Sequence, residues 1–73
     1  MSRLPSISGR ECIRALEKAG FVVIRRKSTH VFMRRENPFA QAVVPDHKTI
    51  RRGTLRNVIR QAGMTVDEFL ALL

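Results

Sequence analysis

Apolar residues recur along this chain with two different periods, and the change from one to the other divides it into elements. After Ser8, the residues Ile13, Leu16 and Ala19 or Gly20 fall at helical spacing. Ser8-Gly9-Arg10-Glu11 has the form of a capping box, in which the serine hydroxyl accepts an orphan amide while the glutamate reaches back to the backbone of Ser8. Gly20 can take the left-handed conformation that closes a helix, so the pattern predicts a helix over 9–19. The runs 21–26 and 30–35 are rich in β-branched residues and are separated by the polar Lys27, Ser28 and Thr29, which predicts a β-hairpin. Glu36, Asn37 and Pro38 signal a second turn, and the short apolar run 41–44 forms a third strand that Pro45 ends by removing a ladder donor. Leu55, Val58, Ile59 and Ala62 repeat at i, i+3, i+4 and i+7, which predicts a helix over about 53–62 capped by Gly63. Thr65-Val66-Asp67-Glu68 is a second capping box, with Met64 and Phe69 at the two positions of a hydrophobic staple, so a short helix over 66–72 closes the chain.

The predicted order is helix, three-stranded antiparallel meander, helix, short helix. This is an α+β arrangement with helices on one face of a small sheet. No repeat or long linker interrupts the 73 residues, so one domain, 1–73, with one small core is expected. Cys12 is the only cysteine, which excludes an internal disulfide and a cysteine zinc cluster, and its place within a helix reads as packing. No apolar run approaches the roughly 18 residues that span a bilayer, and the N-terminus lacks the apolar segment of a secretory signal. A cytoplasmic protein is expected.

Charge narrows the class of partner. Lys and Arg number 14 against 6 Asp and Glu, for a net charge of +8. By blocks the charge is +2 over 1–24, +5 over 25–35, −2 over 36–47, +5 over 48–60 and −2 over 61–73. Two clusters, Arg25, Arg26, Lys27, Arg34, Arg35 and then Lys48, Arg51, Arg52, Arg56, Arg60, therefore carry more than the whole net charge. Such concentration points to a polyanion. A membrane-surface helix would need bulky apolar groups opposite its basic face, and here those groups are committed to the core, which leaves nucleic acid. If 36–39 form the second turn, antiparallel partners across strands two and three sum to about 75, so His30 lies beside Pro45. The first hairpin turn occupies the same end. Lys27, Ser28, Thr29, His30, Asp46, His47 and Lys48 are thereby expected to gather into one candidate site.

A lone histidine near a strand end is most often a half-exposed strand residue. What singles out His30 is its company, because a group that titrates near neutral pH stands among cations and hydroxyls able to hold a phosphodiester. The chemistry that suits this set is RNA cleavage, in which the 2′-hydroxyl attacks its own phosphorus, one proton is removed, one is supplied to the leaving oxygen, and charge on the phosphoryl oxygens is stabilised. His47 or Lys27, or a second subunit, is the candidate for the complementary acid, with Asp46 as an auxiliary group. A two-metal route needs several converging carboxylates, and Glu36, Asp46, Asp67 and Glu68 do not offer that grouping, so no metal is expected. Two other classes compete. One is a non-catalytic RNA-binding module using the same basic surface. The other is a DNA-binding helix-turn-helix over 54–73, whose second helix begins with Asp67 and Glu68 and carries no Lys or Arg, so that it would repel phosphate.

These residues resemble those of the small HicA-type toxins, mRNA interferases neutralised by a HicB-type antitoxin. The resemblance rests on Ser8-Gly9-Arg10-Glu11, Ala19-Gly20-Phe21, the basic turn ending in His30, Val44-Pro45-Asp46-His47, Gly53-Thr54-Leu55-Arg56, Gln61-Ala62-Gly63 and Glu68-Phe69-Leu70, and covers nearly the whole chain. It implies a fold similar to a double-stranded-RNA-binding domain, a metal-independent endoribonuclease that inhibits translation, an mRNA substrate and an antitoxin partner. It also implies that His30 is catalytic, because the family's histidine follows a Gly-Ser pair at the first hairpin turn. RNA contacts are then expected from Arg25, Arg26, Lys27, Ser28, Thr29, Arg34, Lys48, Arg51 and Arg52. The chain departs from the family in having Ser28 and Thr29 where Gly and Ser are usual. Glycine there permits a positive φ, so Ser28 is expected to adopt a different turn or to narrow the site, whereas Thr29 keeps a hydroxyl.

Overall fold

A computed structural model describes residues 3–73. Its elements follow the order α1 (Gly9–Lys18), β1 (Val22–Lys27), β2 (His30–Glu36), β3 (Phe39–Pro45), α2 (Arg52–Gln61) and α3 (Val66–Leu70). The strands form one antiparallel sheet in the order β1-β2-β3. This is the α+β architecture of a double-stranded-RNA-binding-domain-like fold, a slab of 32 × 27 × 16 Å. Both capping boxes form as the sequence predicts, Ser8 with Glu11 and Thr65 with Glu68. Gly20 and Gly63 take the positive φ values, +95° and +74°, that end α1 and α2.

Several boundaries shift for identifiable reasons. The first hairpin turn contains only Ser28 and Thr29, because Lys27 pairs with His30 and joins the strand. Phe21 leaves the strand and is buried in the core. The second turn is Asn37 and Pro38 alone, joined by a cis peptide bond. Phe39 and Ala40 therefore pair with Glu36 and Arg35, and β3 runs longer than the apolar run 41–44. β3 ends at Pro45, which is itself the last paired residue, opposite His30, rather than the first residue beyond the strand. Val43, in the same alternation, donates its N–H away from β2 to Gln61 Oε1 at 3.0 Å, so Pro45 lies where β3 has no ladder donor to lose. Helix α3 stops at Leu70, and its last turn tightens as Leu72 N–H and Leu73 N–H donate to Phe69 and Leu70 carbonyls.

The core is wholly apolar among the described residues, with no polar or charged side chain buried. Val31 and Met33 of β2 and Ala42 and Val44 of β3 face the helices, which contribute Cys12, Ile13, Ala15, Leu16, Leu55, Val58 and Ile59. Phe69 of α3 is fully buried, so this helix closes the core rather than presenting a face to DNA. Leu4, Ile7 and Ile50 are core residues that periodicity does not reveal, since each stands alone in an irregular segment; the Ile50 N–H donates to the Ile7 carbonyl at 2.8 Å and ties these segments together.

Gly9 is the tightest point of the fold. Its N–H donates to the His47 carbonyl at 2.8 Å, and a Cβ placed on it would collide with the Pro45 carbonyl, lie 2.6 Å from the Asp46 Cα and 3.0 Å from the His47 nitrogen. All three obstacles are backbone. Gly9→Ala is accordingly expected to destabilise the protein by about 2 kcal/mol or more in urea unfolding, whereas Gly53→Ala, which meets nothing within 4 Å, stabilises it by up to about 1 kcal/mol. Cys12 is fully enclosed and burial pushes its thiol up to about 12. The native protein should therefore resist a thiol-reactive dye at pH 8 and become labelled only at the rate of unfolding, as stopped-flow labelling in increasing urea would show.

Candidate nucleic-acid interface

The face of the sheet away from the helices carries the candidate site. Alternation along β2 puts His30, Phe32, Arg34 and Glu36 on this open face, opposite in register to Lys27 and Arg25 on β1 and to Pro45, Val43, Gln41 and Phe39 on β3. His30 is exposed and forms the end row of the sheet with Lys27 and Pro45 as its two cross-strand partners. Its imidazole makes no hydrogen bond among the described residues, and neither does that of His47. The two-residue turn beside it is held by the Asp46 N–H, which donates to the Thr29 carbonyl at 2.7 Å. The hydroxyls of Ser28 and Thr29 are likewise without an intramolecular partner among the described residues.

Ser28 has φ +57°, the only non-glycine residue with a positive φ among the described residues. It therefore takes a positive φ of the kind glycine readily supplies, with a Cβ in place. A positive φ at the first of two turn residues, and not at the second, is the pattern of a type II′ hairpin, which suits the twist of the flanking strands. The cost falls on the Cβ of Ser28 and not on the shape of the turn.

The remaining expected site residues divide into groups. Arg26 lies in register with Val31 and so belongs to the helix-side face, where its guanidinium donates to Asp46 Oδ2 at 3.1 Å. Both groups are substantially exposed, so this pair contributes at most about 1 kcal/mol. Arg25 crosses the open face with its guanidinium carbon 4.7 Å from the Phe32 ring centre, and Arg34 pairs with Glu36 at 3.0 Å. His47 and Lys48 share a hollow of about 250 Å³ with Ser8, Arg10 and Asp46, next to the start of α1, and His30 is not among its lining residues. The backbone bond between Thr29 and Asp46 joins the hairpin turn beside His30 and Lys27 to the segment that carries His47 and Lys48. Arg51 and Arg52 open α2, whose first turn has no acidic residue and whose N-cap offers no side-chain acceptor. Arg35, part of the same sequence cluster, serves the fold instead: it stacks on Phe21 at 4.7 Å and donates to the carbonyls of Pro38, Ala19 and Ala62. Among the described residues no three His, Cys, Asp or Glu side chains come together as a metal site, and no helix is long and apolar enough to cross a membrane.

A model of the family described as the HicA toxin of bacterial toxin-antitoxin systems matches residues 9–64, from the first residue of α1 through the cap of α2. The chain belongs to the HicA toxin family. The HicA match covers the hairpin with His30, the Pro45–Lys48 segment and the basic start of α2, and leaves only α3 and the N-terminal arm outside it. A search of curated proteins found no match. As a HicA toxin, the protein is one half of a pair whose other member is an antitoxin.

Sequence reasoning did not reach Phe32, Gln41 and Gln61, which line the open face beside the expected residues. Phe32 stands inside a predicted strand whose two faces the sequence leaves unassigned, and the register places it on the uncovered side. At the turn, Ser28→Gly should raise stability by about 0.5–1 kcal/mol by removing the Cβ from a left-handed position, and Ser28→Val should lower it by at least about 1 kcal/mol, both measured as shifts in the urea midpoint.

Proposed function

We propose that this HicA toxin is a metal-independent endoribonuclease in which His30 removes the proton from a ribose 2′-hydroxyl. The observation that carries the reading is the exposed, unbonded imidazole in the end row of an uncovered sheet face, directly opposite Lys27. As the 2′-oxygen bonds to phosphorus, the 5′-oxygen of the next nucleotide leaves and takes up a proton, giving a 2′,3′-cyclic phosphate and a 5′-hydroxyl. Lys27, the direct cross-strand neighbour of His30, is the cation best positioned to stabilise charge on the phosphoryl oxygens. His47 and Asp46 act at the side of the site, and the hydroxyls of Ser28 and Thr29 are available to a phosphate.

Binding draws on the wider field. Arg25 and Arg34 on the open face, Arg26 on the opposite face beside Asp46, and Lys48, Arg51 and Arg52 around the start of α2 are RNA contacts in this reading. A helix start that combines uncapped amides, two arginines and no carboxylate has unsatisfied positive potential that a phosphate relieves. The substrate is mRNA in the cytoplasm, its cleavage inhibits translation, and 1–73 acts as one HicA-like unit. A HicB-type antitoxin neutralises it by laying acidic groups over the cations or by covering His30.

The test is incubation of purified protein with a defined RNA in EDTA, wild type beside His30→Ala, followed by analysis of the new ends. Wild type is expected to leave 2′,3′-cyclic phosphates. His30→Ala should lower the rate by at least about 100-fold while RNA affinity changes little. Binding without turnover by the wild type, or undiminished cleavage by the variant, overturns the assignment.

A further inference from the structure

The open sheet face continues beyond His30 into a hollow of about 600 Å³, lined by Ile24, Arg25, Phe32, Gln41, Val43 and Gln61. This volume lies within the roughly 300–1,000 Å³ typical of small-molecule sites. Phe32 follows His30 by two residues on the same face of β2, about 7 Å along the strand. Its ring is only partly covered and carries the Arg25 guanidinium carbon 4.7 Å from its centre, a cation–π contact that puts two planar groups side by side in the hollow. Ile24 and Val43 add apolar flanks. Two carboxamides supply the polar edge. Gln61 has its oxygen engaged by the Val43 N–H at 3.0 Å, which fixes the orientation of the amide and leaves its NH₂ group to donate. Gln41 is exposed and its carboxamide has no partner among the described residues.

Planar surfaces for a π-face, with amide donors and an acceptor at the edge, are the requirements for gripping an unpaired nucleobase. The charge around the hollow fits the same ligand, since Lys27, Arg25 and Arg34 share this face and attract the phosphates on either side of a base. We propose that this hollow is a nucleobase subsite that takes the base of a nucleotide adjoining the cleaved bond. Phe32 and Arg25 supply stacking, and Gln41 and Gln61 read the edge of the base. The inference rests on the reading that RNA is cleaved at His30. It goes beyond that reading by assigning selection to residues that hold no position in the chemistry, and by making the substrate single-stranded at the cut.

The test separates the two ideas. In a His30→Ala background, which leaves the RNA uncut, affinity is measured for short single-stranded oligoribonucleotides that are intact or abasic at one position along the strand. One abasic position, neighbouring the bond that wild type cuts, is expected to weaken binding about 5- to 100-fold, and this penalty should fall to within about twofold when Phe32→Leu is added. In the cleavage-competent protein, Phe32→Leu should raise KM by a similar factor with kcat within about threefold, and Gln41→Ala should flatten the difference in rate between the four bases at that position. Gln41 is exposed, so its variant keeps the test valid should Phe32→Leu fold poorly. An abasic penalty that survives both changes, or an unchanged base preference in both, overturns the subsite even if cleavage is normal. Loss of antitoxin binding with RNA binding and preference intact also overturns it, and makes the hollow a protein contact. A wild type that never cleaves but shows the Phe32-dependent abasic penalty removes the catalytic reading and retains the subsite.

Discussion

The docking of the first residue of α1 onto the segment that follows β3 sets the geometry on which the rest of this small protein depends. Gly9 donates to the His47 carbonyl and approaches the Pro45–His47 backbone so closely that no side chain fits between them. One residue away, the Asp46 N–H donates to the Thr29 carbonyl, which fixes the hairpin turn beside His30. The same segment then reaches Ile50, whose N–H bonds the Ile7 carbonyl while its side chain enters the core. Three stretches of chain are thus held at one end of the sheet by main-chain hydrogen bonds. Because these bonds use no side-chain charge, the cations and the imidazole at this end remain exposed for a ligand while their backbone is fixed.

The arginines illustrate how one residue type serves two ends. Arg35 lies against Phe21 and gathers the carbonyls of Pro38, Ala19 and Ala62, joining the second hairpin turn to the ends of α1 and α2. Arg26 and Arg34 are each occupied by a single exposed carboxylate. Such pairs cost little to open, and a polyanion with several phosphates competes with them readily. On the open face itself, Arg25, Lys27 and Arg34 have at most one exposed carboxylate between them, which leaves a net positive field there.

Element order, both capping boxes and the register of β2 with β3 were legible because each rests on local chemistry. The predicted sum of about 75 is met at His30 with Pro45 and at every pair through Glu36 with Phe39. The burial of Phe21, Leu4, Ile7 and Ile50 is not legible in the sequence because it depends on where irregular segments cross, and no local period records that. Pro45 was read as a breaker on its missing donor; its tolerance within β3 follows from facing away from β2, a property of the assembled sheet. In the site, the association of Thr29 with Asp46 was readable from topology. The close approach of Gly9 to the Pro45–His47 backbone was not, since no local pattern records where two distant segments touch. Ser28 gives the opposite lesson: its residue type does not announce a positive φ, and the two-residue connection between paired strands carries one.

β1 borders the sheet with no strand beyond it, and Val22, Val23 and Ile24 are 59%, 38% and 44% exposed there. A bare, apolar border of this kind invites self-templated growth, copy adding to copy. The irregularity between Val23 and Arg25 interrupts the regular spacing of outward amides and carbonyls at the middle of that border, and Arg25, Arg26 and Lys27 follow immediately with like charge. A kinked, cationic margin makes a poor template for fibres. The protein can thereby keep an oily fringe beside its working surface and still remain dispersed.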